Sequence, residues 1–326
     1  FIELTSRANI TIRGLQKEYL NQLSNFLNQA GIINAAEKRE NISNIIYSPF
    51  PSKDKKLVRK VATILEDNLD RIPKLHKKFG IAVDLGSVAS LQGTNADLRI
   101  EIDKENKLIL RINGLDRGIP VDETTLLKKI VTILNSALAT SNEMNGTGVT
   151  NLVEGINQTF SPEFKPRKQN FSLRLGPCFG GYMITVPGGK FSSYQLKKLS
   201  LHVKGVAVTP WKSFFVDSTT KKPPLSFLSA NTDHDLSVGY CSGKPYCSQG
   251  ILNTSKVAKM VNAILKDTYK DKRSGANIHI SGCSKNCGLS KQTSILINSS
   301  KGEKSISTRD DKFRYLASKI SMELNK

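Results

Sequence analysis

Apolar positions near the start of the chain change their period once. Ile10 and Ile12 alternate as in a strand, whereas Leu15, Tyr19, Leu23, Phe26 and Leu27 return at helical spacing and predict an amphipathic helix ending at Gly31. A second helix is predicted over 54–69, with Leu57, Val58, Val61, Ile64, Leu65 and Leu69 turned inward. Residues 98–102 and 108–112 alternate around a polar turn and predict a hairpin, followed by a helix with one buried face over 123–138. Residues 160–170, with two prolines and mixed charge, predict a linker.

Beyond that linker the parts recur in another phase. A helix over 194–203 and a strand over 206–208 lead to Thr209-Pro210-Trp211-Lys212, at the place where the first half has Thr5-Ser6-Arg7. Val186-Pro187-Gly188-Gly189 stands ahead of that helix, and its first-half counterpart falls upstream of Phe1. The chain is therefore expected to lack the first strand and helix of its first half. Towards the C-terminus the patterns predict a helix over 255–266, strands over 277–280 and 295–297, and a closing helix over 313–324.

At 326 residues the chain is long enough for two or more domains with real cores. No apolar run approaches membrane-spanning length and no basic-then-apolar leader opens the sequence, which predicts a cytoplasmic protein with no membrane partner. The net charge of +20 raises nucleic acid as a partner. Its lysines are dispersed, however, with little aromatic interleaving, which fits a solvated surface or the capture of a polycarboxylate and predicts no nucleic-acid binding.

Four of the five cysteines fall into two doublets, Cys241 with Cys247 and Cys283 with Cys287. Three readings are open: ligands of a 4Fe-4S cluster, ligands of a structural zinc ion, or unrelated buried thiols. Intervals of five and three residues depart from the C-x2-C and C-x4-C doublets usual for zinc, and Gly243, Gly282 and Gly288 leave room for backbone N–H donors to cluster sulfurs. Cys178 stands apart as a buried free thiol. His76, His202, His234 and His279 are scattered and predict no histidine metal triad, and neither a G-x-G-x-x-G nor a P-loop motif is present. Gly188-Gly189-Lys190 alone reads as a plain turn.

The C-x5-C and C-x3-C pairs, with Ser281-Gly282-Cys283, resemble the cluster signature of the nitrite/sulfite reductase superfamily, where the last cysteine also faces a second redox centre. Within it the stretch from Ile2 to Gly14, Lys78-Phe79-Gly80, Ala96-Asp97-Leu98-Arg99 and Thr209-Pro210-Trp211-Lys212 resemble the precorrin-3B synthase family, so that the likeness runs through nearly the whole chain. The resemblance implies an α+β, pseudo-duplicated reductase-like architecture. Its domains would be a first ferredoxin-like half-domain over 1–37, an α+β domain over 38–160, a linker over 161–170, a second half-domain over 171–230 and a cluster-bearing domain over 231–326.

It further implies an iron-sulfur monooxygenase that converts precorrin-3A to precorrin-3B by hydroxylation and lactone formation in aerobic cobalamin biosynthesis. O2, a separate electron-donating reductase and the tetrapyrrole would be its partners, and a second iron centre is implied beside the cluster. Arg39 and Lys78 match positions facing the reaction pocket and are the implied catalytic residues. Arg7 is implied in binding tetrapyrrole carboxylates, with Arg13 beside it. Each has surface solvation as its bland reading. Three departures stand out: Gly80 lies where sulfite reductases carry a second lysine, Gly288-Leu289-Ser290 follow Cys287 where the synthases usually have Ala-His-Pro, and Lys212 replaces their usual Arg. A sirohaem-dependent nitrite or sulfite reductase is the alternative within the superfamily, and a zinc-stapled nucleic-acid-binding protein the alternative outside it.

Overall fold

The computed structural model describes residues 1–32, 44–73, 79–140, 162–173, 175–217, 237–270, 274–289, 293–300 and 303–325. The chain opens with a hairpin, β1 (Ile2–Leu4) and β2 (Ile10–Ile12), followed by α1 (Leu20–Gln29). Apolar residues recur along α1 as the sequence predicts, yet the helix buries none of them and Phe26 is 63% exposed. Periodicity marks which face of a helix is apolar, not whether another element covers it.

The first large unit is a five-stranded sheet with order β3-β4-β5-β6-β7, built from β3 (Ile45–Tyr47), β4 (Ile81–Asp84), β5 (Leu98–Ile102), β6 (Leu108–Ile112) and β7 (Ile119–Pro120). Strands β3, β4 and β5 run parallel, while β6 and β7 are antiparallel neighbours. Helices α2 (Lys55–Asp67) and α3 (Leu126–Thr140) contribute Val61, Leu65, Leu126, Ile130 and Leu134 to the core under the sheet. Asp54 starts α2 by accepting a hydrogen bond from the Leu57 amide, which satisfies a donor that the first turn leaves orphaned. The predicted linker is not free along its length, because Phe164 bridges to Gly118 and Pro166 to Asp103 along the first sheet.

The second half begins with a smaller sheet of order β11-β12-β9-β8, made of β8 (Gly176–Cys178), β9 (Gly181–Ile184), β11 (Ala207–Val208) and β12 (Phe214–Asp217). Between β9 and β11 lie β10 (Lys190–Phe191) and α4 (Ser193–Ser200), the latter started by a reciprocal Ser192–Gln195 capping box. Strand β10 leaves this sheet to pair with β1, so Ile2 stands opposite Phe191 and the two halves of the chain share one sheet. The last unit places β13 (Val238–Tyr240), β14 (Ile278–Ile280), β15 (Ile295–Ser300) and β16 (Glu303–Thr308) in that order, with α5 (Thr254–Tyr269) and α6 (Arg314–Leu324).

Strand directions expose the duplication. Both large sheets have three parallel strands followed by an antiparallel one, and in both a capped helix follows the first strand. Strand β16 escapes the sequence reading because Ile306 alone is apolar in its Glu-Lys-Ser-Ile-Ser-Thr run. No helix among the described residues is long and apolar enough to cross a membrane.

Candidate functional site

Parallel strands β13 and β14 end at the same edge of their sheet, so the loops leaving them lie side by side. The first carries Cys241 and Cys247, the second Cys283 and Cys287. The Cys241 amide donates to the Ile280 carbonyl (3.1 Å), and the Ile251 amide to the Gly282 carbonyl (2.8 Å). Contact is so close that a Cβ on Gly282 would lie 2.9 Å from the Cα of Gly243. The Gly282 amide in turn donates to Cys241 Sγ at 3.1 Å. All four cysteines are free thiols; three are half-buried and Cys287 is exposed.

Among the described residues, no three His, Cys, Asp or Glu side chains converge as one metal ion requires. The chemistry of the donor set, four free thiols on two adjoining glycine-lined loops with a backbone N–H directed at Cys241 Sγ, fits a 4Fe-4S cluster.

Behind Cys241 lies a half-buried charged wall built around the buried Glu3. Glu3 on β1 is 5% exposed, accepts from Nε of Arg13, the residue after β2, and receives the Ser242 hydroxyl at 2.7 and 2.9 Å. Burial alone would raise the Glu3 carboxyl pKa, but the Ser242 and Arg13 bonds and the Arg13 charge outweigh it and hold the group below its ordinary value. Lys212 Nζ donates to the Tyr240 carbonyl at 2.7 Å, and Lys190 Nζ to the Ser242 carbonyl at 3.4 Å. Burial depresses both lysine pKa values, and Glu3 opposes it. His279, on β14 beside Lys212, is pushed down to about 4 by burial and then by the Lys212 charge; its Nε2 is buried without a hydrogen-bond partner.

The turn before β10 makes this wall possible. Gly188 has φ +68°, and a Cβ there would fall 2.2 Å from the Tyr240 ring. Lys212 itself holds φ +55°, with its carbonyl receiving the Thr185 hydroxyl at 2.7 Å. Gly188-Gly189-Lys190, a plain turn by sequence, is thus the seat of Tyr240 and Lys212.

The β1–β2 hairpin reaches from this wall to the first large sheet. Its base holds Glu3 and Arg13, and Arg13 Nη1 also donates to the Tyr246 carbonyl at 3.3 Å. Its tip is a tight turn in which Thr5 Oγ1 receives the Arg7 and Asn9 amides, with Ala8 packed near Ile46 and Trp211. Asn9 donates to Asn44, and Asn44 to the Phe79 carbonyl. Half-buried Arg7 therefore lies in the turn at the hairpin tip, the end that meets the first large sheet. Gly80 is buried, donates its amide to Asp97 at 2.8 Å and would bring a Cβ within 3.3 Å of the Asn44 carbonyl. Arg39 and Lys78 lie outside the described residues, as do His76 and His234.

No protein-family model matches the chain. The structure of the NirA protein of Mycobacterium tuberculosis superposes with a TM-score of 0.62 at 12% identity, over 94% of this chain and 68% of that one. The fold is nitrite/sulfite reductase-like. In sequence the chain is similar to a precorrin-3B synthase of a Sinorhizobium species, 22% identical across 330 residues covering 91% of this chain and 70% of that protein.

Within the reductase-like fold, sequence reasoning finds the cysteine loops and misses the wall behind them. Glu3, Lys190 and Lys212 stand in stretches quoted for the resemblance or as a turn, but nothing in the sequence joins them to one another or to Ser242. The fold also holds a cleft of about 1020 Å3 lined by Tyr47, Phe50, Lys55, Arg59, Phe179 and Lys204 among others. It lies over the loops after β3 and β4, which by strand order are the first-half counterparts of the two cysteine loops. Cys178, on β8 beneath this region, has its thiol pKa raised by burial.

Proposed function

We propose that this protein is an iron-sulfur oxidoreductase of cobalamin biosynthesis that converts precorrin-3A to precorrin-3B. O2 supplies one oxygen atom to the substrate while the other leaves as water, and a separate reductase provides the two electrons. Cys241, Cys247, Cys283 and Cys287 hold the cluster, which when bound supplies one-electron transfer. Arg7 pairs with a tetrapyrrole carboxylate, a task that suits a guanidinium fork. Arg39 and Lys78 are the proposed catalytic residues, and a second iron centre would supply the activation of O2. Arg13, already engaged by Glu3, steadies the hairpin that carries Arg7.

The observation behind this reading is the nesting of two cysteine loops against a hairpin whose tip reaches the Phe79-Gly80 segment. Similarity to precorrin-3B synthase supports the substrate, and the buried Gly80 supports the synthase over a sulfite reductase, since no lysine side chain stands there to stabilise a small oxyanion.

Anaerobic purification with iron, sulfide and zinc analysis tests the centre. Four iron and four sulfide per chain are expected, with the brown colour lost on changing any one of the four cysteines to Ala and retained in Cys178→Ala. Stoichiometric zinc without sulfide would overturn the cluster and favour the zinc-stapled reading. Turnover of precorrin-3A with O2 and an added reductase is expected, whereas sirohaem in the isolated protein with nitrite or sulfite reduction would install the reductase reading instead.

A further inference from the structure

We infer that Lys212, assisted by Lys190, is a positioning cation that sets the reduction potential of the centre held by Cys241. This inference rests on the cluster reading above.

The geometry is specific to one ligand. Lys212 Nζ donates to the carbonyl of Tyr240 and Lys190 Nζ to the carbonyl of Ser242, so two ammonium groups hold the residues on either side of a single cysteine. Neither is a flexible surface lysine. The Lys212 backbone is fixed in a left-handed conformation between Thr185 and Gly189, where a glycine Cβ would come within 2.7 Å of Lys212 Cβ. Lys190 lies over the Tyr240 ring at 4.8 Å. Tyr240 is therefore held through its carbonyl by one lysine and across its ring by the other.

Charge bookkeeping gives the direction. One-electron reduction of a four-thiolate cubane adds one negative charge and neither forms nor breaks a bond, so the electron's stability depends on the charges fixed around the centre. Glu3 opposes the lysines, but its carboxylate is matched by Arg13 and by the Ser242 hydroxyl. With Glu3 matched by Arg13, each ammonium kept on Lys190 and Lys212 stands as an unmatched positive charge in a half-buried setting, where screening by water and salt is reduced. Such an excess favours the reduced state and raises the potential.

The test is a dye-mediated redox titration of the anaerobically purified, cluster-loaded full chain, followed by the electron paramagnetic resonance of the reduced centre. Lys212→Met is expected to lower the reduced-to-oxidised ratio at fixed potential about tenfold, a shift of about 59 mV for one electron. Lys212→Arg should restore most of it, and exposed Lys197→Met should leave it unmoved. If Lys212→Met fails to fold or load, Lys190→Met is read in its place and a smaller shift of the same sign is expected. A loaded variant with unchanged potential overturns the inference and leaves the cluster standing. Wild-type protein without iron and sulfide removes both.

Discussion

Asp84 illustrates how a single buried side chain can work against the fold that holds it. It is 2% exposed and accepts the Ser90 and Leu91 amides at 2.8 Å each. Burial nonetheless raises its pKa, outweighing those two donors, with Glu101 adding to the rise and Arg167 opposing it. A carboxyl whose folded pKa lies above its unfolded value contributes stability in acid, below the unfolded value, and loses it as pH rises through the folded one. Asp84→Asn keeps an oxygen for both amides and removes the charge. It is expected to raise stability at pH 8 by about 1 kcal/mol and to flatten the fall in denaturant midpoint as pH rises above the ordinary carboxylate range. A lower midpoint at pH 8 would mean that the ionised carboxylate is the better partner. Arg99 resolves the same problem by saturation: its guanidinium is 1% exposed and meets Asn113 and the Leu91 and Thr94 carbonyls. Nothing in the local sequence marks either residue as interior, because charged side chains are ordinarily read as surface.

At the level of elements, legibility follows the range of the contacts. Helix α2 is readable because its cap and its inward Val61 and Leu65 lie within a few turns of one another. The cysteine doublets are readable because their spacing is local. The wall behind Cys241 is not, since it joins Glu3, Lys190, Lys212 and Ser242, residues drawn together only by the pairing of β1 with β10. Helix α1 fails in the other direction: its apolar stripe is plain in sequence, while its exposure depends on what packs over it. The glycine turn before β10 gives a direct test of the wall as an element. Gly188→Ala adds a methyl group into the Tyr240 ring at a positive φ, and is expected to cost about 2 kcal/mol. Equilibrium denaturation checks this, with Gly205→Ala, where a Cβ meets open space, as the comparison.

Across the whole molecule, two duplicated cores are joined by a thinner junction. The first core gathers Ile81, Leu98, Ile100 and Leu110, the second Ile278, Ile280, Ile295 and Ile297, and no residue belongs to both. Trp211, the only tryptophan in the sequence, sits at the junction with its ring 4.3 Å from Phe171 and 6.0 Å from Phe50. Its fluorescence therefore reports the junction, while circular dichroism reports the cores. The two probes are expected to give non-coincident guanidinium transitions, the fluorescence change coming at lower denaturant. Superimposable curves would show that junction and cores unfold as one unit.

Pairing Ile2 with Phe191 also has a consequence for how the protein is made. The first strand leaves the ribosome about 190 residues ahead of its partner, roughly 10 to 40 s at ordinary rates of synthesis. Throughout that interval β1 must wait with an unpaired edge, beside a hairpin partner whose Ile10 and Ile12 remain exposed even in the finished protein. Strand β1 is thus an edge left open until late in synthesis, and the charged wall behind Cys241 can close only after β10 has emerged.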